Sequence, residues 1–271
     1  MKTTPPATFR ELYRRAIPAL WTSRAMVKIS SAHLMDAEKI IGNPRLDEIS
    51  TDMIDHYKNK ISFGVSPATV NRKLSSMHKL LKYAHDRDWL AKMPMFSWNK
   101  EDNERVRWLS KEEELQLLSM LPKDVSVFCE LLLQTGMRRS ELLNLTPDNV
   151  DGSYIRLWKT KTGKPRSVPM SQRAQVLIKD FLSNKPDVTR IHKEWLKAKK
   201  AMGLENDKNF VLHILRHTTA TRMLDTTGNI AVVQRMLGHS KITTTMRYAH
   251  IADDKLLEAV QATSEKHNCL A

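Results

Sequence analysis

Between His213 and Tyr248 the chain sets polar, chemistry-bearing side chains at spacings that suit a short series of helices and breaks. The stretch reads H-I-L-R-H-T-T-A-T-R-M, then L-G-H-S, then T-T-T-M-R-Y-A-H. His213 and Arg216 are three residues apart, so one helix face presents both. Leu237-Gly238-His239 reads as a helix end, with Gly238 in the left-handed conformation that stops a helix and His239 opening the loop beyond. Tyr248 follows nine residues after His239, among threonines and basic residues. Two histidines, an arginine and a tyrosine make a poor apolar core. They make a workable kit for a phosphate diester: a cation for the oxygens, an imidazole for protons, a phenol as nucleophile.

Upstream, the same half of the chain shows further punctuation. Ser110-Lys111-Glu112-Glu113 opens a helix with a capping box, and Leu115, Leu118 and Leu121 are expected to face inward. A second helix carries Val127, Phe128, Leu131 and Leu132 and ends at Thr135-Gly136. Arg138 then stands at a helix start, where its guanidinium adds to amide dipoles that favour an anion, with Glu141 placed to brace it. Tyr154–Trp158 and Arg166–Met170 alternate as strands around the turn K-T-K-T-G-K-P, a basic β-hairpin whose Lys161 can meet a strained phosphate. Lys159 and Lys164 flank it as further DNA-contact candidates. Helices resume at Ser171, with Val176, Leu177 and Phe181 expected to be buried, and again over residues 189–202.

Residues 8–96 carry helical patterns and almost no strand pattern. Ser66-Pro67 is a helix start, and Val70, Leu74, Met77 and Leu81 then form one apolar stripe. Arg72, Lys73, Lys79 and Lys82 lie opposite, and the first three of these are candidate DNA contacts. The expected organisation is a helical domain over 1–96, a linker over 97–107 rich in mixed charge, and a second domain over 108–271. The fold class is mainly α with a small antiparallel β-sheet in the C-terminal domain (α+β).

The charge balance agrees. Of the 271 residues, 44 are Lys or Arg and 30 Asp or Glu, a net +14 that is spread along the chain and favours a polyanionic partner, most simply a nucleic acid. Two cysteines far apart offer no disulfide framework, and no run approaches the roughly 20 apolar residues of a membrane span. The expectation is a cytoplasmic protein with no membrane association.

Taken in order, T-G-M-R-R-S-E, a lysine hairpin, H-I-L-R-H, L-G-H and a terminal tyrosine resemble the tyrosine recombinase family, also called phage integrases. The resemblance runs from about the middle of the N-terminal module to Tyr248. It implies a helical core-site-binding domain followed by a tyrosine-recombinase catalytic domain. It places the catalytic roles on Arg138, Lys161, His213, Arg216, His239 and the nucleophile Tyr248. Two departures, Ile214 where many members carry an acidic residue and Met93-Pro94 for the usual Asn-Pro, leave the chemistry untouched. The short N-terminus leaves no room for an arm-site-binding domain, so simple core sites are expected.

The resemblance implies site-specific recombination of double-stranded DNA through a 3′-phosphotyrosyl intermediate, with no cofactor and no metal. It further implies a homotetramer assembled on DNA through the tail helix over 253–264, with accessory DNA-bending proteins among its partners and association with the nucleoid. Zinc held by His213 and His239 lacks a third ligand. Two rivals share the residue set: a type IB topoisomerase, which reseals without exchanging partners, and a catalytically silent DNA-binding regulator.

Overall fold

A computed structural model describes residues 4–101, 106–158 and 165–249. The chain divides into two compact units, Met1–Asp102 and Asn103–Ala271.

The first unit is built from four helices: α1 (Phe9–Leu20), α2 (Arg24–Ile41), α3 (Thr51–Ile61) and α4 (Pro67–His85). Thr8, Ser23, Ser50 and Ser66 cap them, each side-chain oxygen accepting from an amide of the first turn. The α4 stripe expected from the sequence is fully inside, Val70, Leu74, Met77 and Leu81 being at most 1% exposed. It packs with Phe9, Leu12, Leu34, Ile54 and Tyr57 into one core. Beyond α4, the segment read as the start of a linker is bound to this unit. Asn71 reaches it three times, accepting from the Asn99 amide at 2.9 Å and donating to the Asn99 carbonyl at 2.9 Å and to Glu101 Oε1 at 2.7 Å. Ser97 donates to Asp55, and Phe96 stacks on Trp98 with ring centroids 5.9 Å apart.

The second unit begins with Val106 and Leu109 already buried, so the far end of the expected linker also belongs to a packed unit. Its helices are α5 (Lys111–Met120), α6 (Lys123–Thr135), α7 (Arg139–Leu143), α8 (Gln172–Ser183), α9 (Val188–Ala201), α10 (His213–Thr227) and α11 (Ile230–Leu237). Between α7 and α8 lies an antiparallel sheet in the order β1 (Val150–Asp151), β2 (Tyr154–Leu157), β3 (Arg166–Pro169). Ile155 pairs with Val168, and both are buried. Strand β1 is too short to announce itself by alternation. Helix α6 packs against both α8 and α10, and its Phe128 meets Phe181 at a centroid distance of 6.1 Å.

Two expected core positions are overturned. Leu115 is 71% exposed and Val176 is 65% exposed. In α5 the inward stripe is Glu114, Leu117, Leu118 and Leu121, the i, i+3, i+4, i+7 set, and Leu115 falls on the far side of the helix. In α8 the stripe is Ala174, Leu177, Ile178 and Phe181 by the same rule, and Val176 points outward.

Candidate active site

The site grows from three helix ends. Helix α6 stops at Gly136, whose φ of 60° is left-handed and whose amide donates to the Leu132 carbonyl at 2.9 Å. A Cβ at this glycine would lie 3.1 Å from Leu237 Cδ2 and 3.2 Å from Thr219 Cγ2, so the position needs both the backbone freedom and the bare Cα. The stop delivers Arg138 to the N-cap of α7. Helix α11 stops in the same way at Gly238 (φ 64°) and delivers His239. Helix α10 begins at His213.

Arg216 ties these ends together. It is 2% exposed, and its Nη1 donates to the Gly136 carbonyl and its Nη2 to the Leu237 carbonyl, each at 2.6 Å. Burial and the neighbouring Arg138 and Arg166 guanidiniums push it down to about 9, which still leaves it cationic at neutral pH.

At the start of α7, Arg138 is braced by Glu141. The Glu141 carboxylate accepts from the Arg138 backbone amide and from its Nη1, each at 2.8 Å. The same carboxylate takes both Nη groups of Arg166, at 2.8 and 2.7 Å. Burial alone would raise Glu141; the Arg166 and Arg138 hydrogen bonds and the Arg166 charge outweigh it and hold the carboxyl down to about 2. Arg166 also lies across Gly238, where a Cβ would come within 2.6 Å of its Cδ.

The imidazoles complete the cluster. His239 Nδ1 is hydrogen-bonded to Thr245 Oγ1 at 2.9 Å. Desolvation, then Arg216 and Arg138, lower it to about 4. His213, at the exposed rim of the cluster, is lowered to about 4, first by desolvation and then by Arg216, Arg138 and Arg247. Tyr248 sits on a short 3-10 turn, Met246–Tyr248, and is only 1% exposed, packed with Val106, Ala220, Leu224, Val233 and Leu237. Its hydroxyl is hydrogen-bonded to His217 Nδ1 at 2.6 Å. Burial raises the phenol, with Arg216 and Arg247 opposing.

The structure thus gathers Arg138, Glu141, His213, Arg216, His239 and Tyr248 in one unit. Lys161, with Lys159 and Lys164, lies outside the described residues. On α4 of the other unit, Arg72 is exposed, Lys73 is paired with Asp36 at 2.6 Å, and Lys79 donates to the Leu20 carbonyl with its Nζ 4.9 Å from the Trp21 ring. Two site residues escaped the sequence reading. His217 is one turn from His213, a signal that was available. Arg166 was read only as a strand residue, and its reach to Glu141 depends on the fold. Among the described residues, no group of three or more His, Cys, Asp or Glu could hold a metal ion, and no helix is long and apolar enough to cross a membrane.

Residues 107–255 match the model of the phage integrase family. The integrase of Escherichia phage P2 is 30% identical over 230 residues, which span 82% of this chain and 67% of that protein. Tyrosine recombinase XerD of Vibrio cholerae is 28% identical, spanning 90% of this chain and 93% of that one. The Tn1549 transposon integrase, solved with circular intermediate DNA, superposes with a TM-score of 0.71 at 21% identity, covering 90% of this chain and 95% of that chain. A lambda integrase dimer bound to a COC′ core site gives 0.72 at 16% identity, covering 89% and 77%. The chain belongs to the phage integrase family, the tyrosine-type site-specific DNA recombinases. Its class is therefore that of a DNA strand-transferring enzyme.

Proposed function

We propose that this chain cuts and rejoins double-stranded DNA at specific sites, using Tyr248 as nucleophile. The observation that carries the reading is the meeting, in one unit, of the Arg138–Glu141 pair, the backbone-anchored Arg216, His239 and a buried tyrosine. Arg138 and Arg216 clamp the non-bridging oxygens of one phosphate and offset the charge that builds in the pentavalent transition state. His239 adds a hydrogen bond to it, and His213 helps the phenol lose its proton. The Tyr248 oxygen bonds to phosphorus while the bond to the 5′ oxygen breaks, leaving a 3′-phosphotyrosyl enzyme and a free 5′-hydroxyl. Lys161 supplies the proton that the leaving 5′ oxygen takes up. Because the ester bond is kept rather than hydrolysed, the 5′-hydroxyl of another strand can attack it and reseal the DNA.

The relatives solved with a circular intermediate and with a core site support a recombination site as the DNA partner. The DNA-contact set is Arg72, Lys73, Lys79, Lys159 and Lys164, whose cations would add salt-sensitive, sequence-independent affinity. The active assembly is a tetramer formed on DNA through residues 253–264, with accessory DNA-bending proteins setting direction.

Covalent protein–DNA adducts are isolated from cells expressing the chain, and the attached DNA is sequenced. A nicked duplex of the recovered site is then offered to the purified protein. Wild type is expected to remain covalently attached and Tyr248→Phe to bind without attachment. Holliday junctions from paired sites identify a recombinase; resealing without them identifies a topoisomerase. Binding without attachment by the wild type as well would leave a silent regulator.

A further inference from the structure

We infer that His217, to which the preceding mechanism gives no role, is a catalytic residue of this site: it fixes the Tyr248 hydroxyl and takes its proton as the phenolic oxygen bonds to phosphorus. The inference rests on Tyr248 being the nucleophile, as proposed above. The first support is geometric. His217 Nδ1 lies 2.6 Å from the Tyr248 oxygen, the nucleophilic atom itself. The second is burial. At 1% exposure the tyrosine has almost no contact with bulk water, so the proton must pass to a protein group, and His217 is already bonded to it. The third is placement. His217 follows Arg216 directly on α10, and its ring meets that of His213 edge-on at a centroid distance of 4.7 Å. Arg216 of the phosphate clamp and the proton acceptor therefore share one rigid helix.

The charge state is also right. Burial first, and then His213, Arg247, Arg216 and His239 around it, keep the His217 imidazole neutral, with Nδ1 able to accept when the other nitrogen carries the hydrogen. A DNA phosphate arriving beside Arg138 and Arg216 brings a negative charge that offsets those cations, so the imidazole accepts a proton most readily when the substrate is in place. The balance closes within the site. The phenol proton moves to Nδ1, the oxygen–phosphorus bond forms and the 5′ oxygen departs. On resealing, the imidazolium returns the proton to the tyrosine oxygen.

The test uses the full chain and the nicked duplex that traps the wild type. His217→Asn keeps a polar atom near the position of Nδ1 but cannot take the proton, and His217→Gln is carried beside it as a second variant. Melting temperature and retention of the duplex are measured for each. Covalent trapping is expected to slow about 100-fold with duplex retention unchanged, within the range for loss of a general base. Installing a difluorinated tyrosine at position 248, whose phenol is the stronger acid, is expected to restore at least tenfold of that loss in the variants and to change the unsubstituted chain little. Trapping at the wild-type rate, or a defect that fluorination leaves unchanged, overturns the role of His217 as proton acceptor. Absence of any Tyr248 adduct in the wild type overturns the parent reading, and this one with it.

Discussion

The Arg216 guanidinium hydrogen-bonds, at 2.6 Å, to the carbonyl of Gly136, a residue 80 positions earlier in the chain. A side chain from the start of α10 thereby fixes the end of α6, and its second fork is spent on the end of α11. Lysine carries the same charge but cannot span two carbonyls with planar geometry. Arg216→Lys is therefore expected to fall at least 100-fold in covalent trapping of a nicked duplex. It should also lose stability by roughly 2–3 kcal/mol, since a buried carbonyl is left without its charged donor. Chemical denaturation alongside the trapping assay measures both.

Gly136→Ala and Gly238→Ala act on the same framework through the backbone. Each forces a left-handed φ on a residue with a side chain, at about 1 kcal/mol or more. The Gly136 methyl would also press on Leu237 and Thr219, and the Gly238 methyl would strike Arg166. Both variants are expected to melt at lower temperature, and Gly238→Ala to lose more activity, since the displaced side chain is the one that holds Glu141.

Glu141 gives a stability dependence in acid. Its carboxyl is held down to about 2 in the folded chain, against an ordinary value of 4.5. A depressed carboxyl contributes stability that is fully present above its unfolded pKa and is lost as pH falls from about 4.5 toward 2. Glu141→Gln should remove that component of the acid transition and lower stability at pH 7 by about 2–3 kcal/mol. Melting curves of both proteins from pH 7 to pH 3 check the sign.

His217 and His239 give a second window at higher pH. Both are lowered in the folded chain, to about 3 and about 4, from an ordinary 6.5. For a base with a lowered pKa, the unfolded chain binds the extra protons, so stability declines as pH drops below about 6.5, the decline ending near 4 for His239 and near 3 for His217. His239→Gln is expected to melt with a shallower pH dependence between those limits than the wild type. Equal slopes would count against it.

The overturned position Leu115 and its buried neighbour Leu117 offer a packing test. Leu117→Ala, at a residue 0% exposed, is expected to cost about 2–5 kcal/mol, whereas Leu115→Ala should stay within about 0.5 kcal/mol. Urea unfolding midpoints of the pair decide it.

Much of this architecture was legible because local chemistry announces it. The α4 stripe, the Ser110 capping box, the helix end at Gly136 and the left-handed stop at Gly238 are written in single residues at fixed offsets, and all occur where those residues stand. In α5 and α8 more apolar residues are present than one stripe can use, and the choice between Leu115 and Leu117 is made by what packs opposite. The Glu141–Arg166 bond and the His217–Tyr248 bond, 25 and 31 residues apart in sequence, exist only once strand and helix are folded together. No local spacing encodes them. The expected lysine hairpin tip and the expected tail helix fall on residues outside those described.

The anchorage of Arg216 on two main-chain oxygens has a consequence for how such a sequence can diverge. Every amino acid brings a carbonyl, so nearly any substitution beside the guanidinium leaves its seat intact. What must persist is the pair of turns that aim those oxygens inward. A lineage can rewrite most of the surrounding alphabet and keep one cation in register, so long as two chain reversals survive.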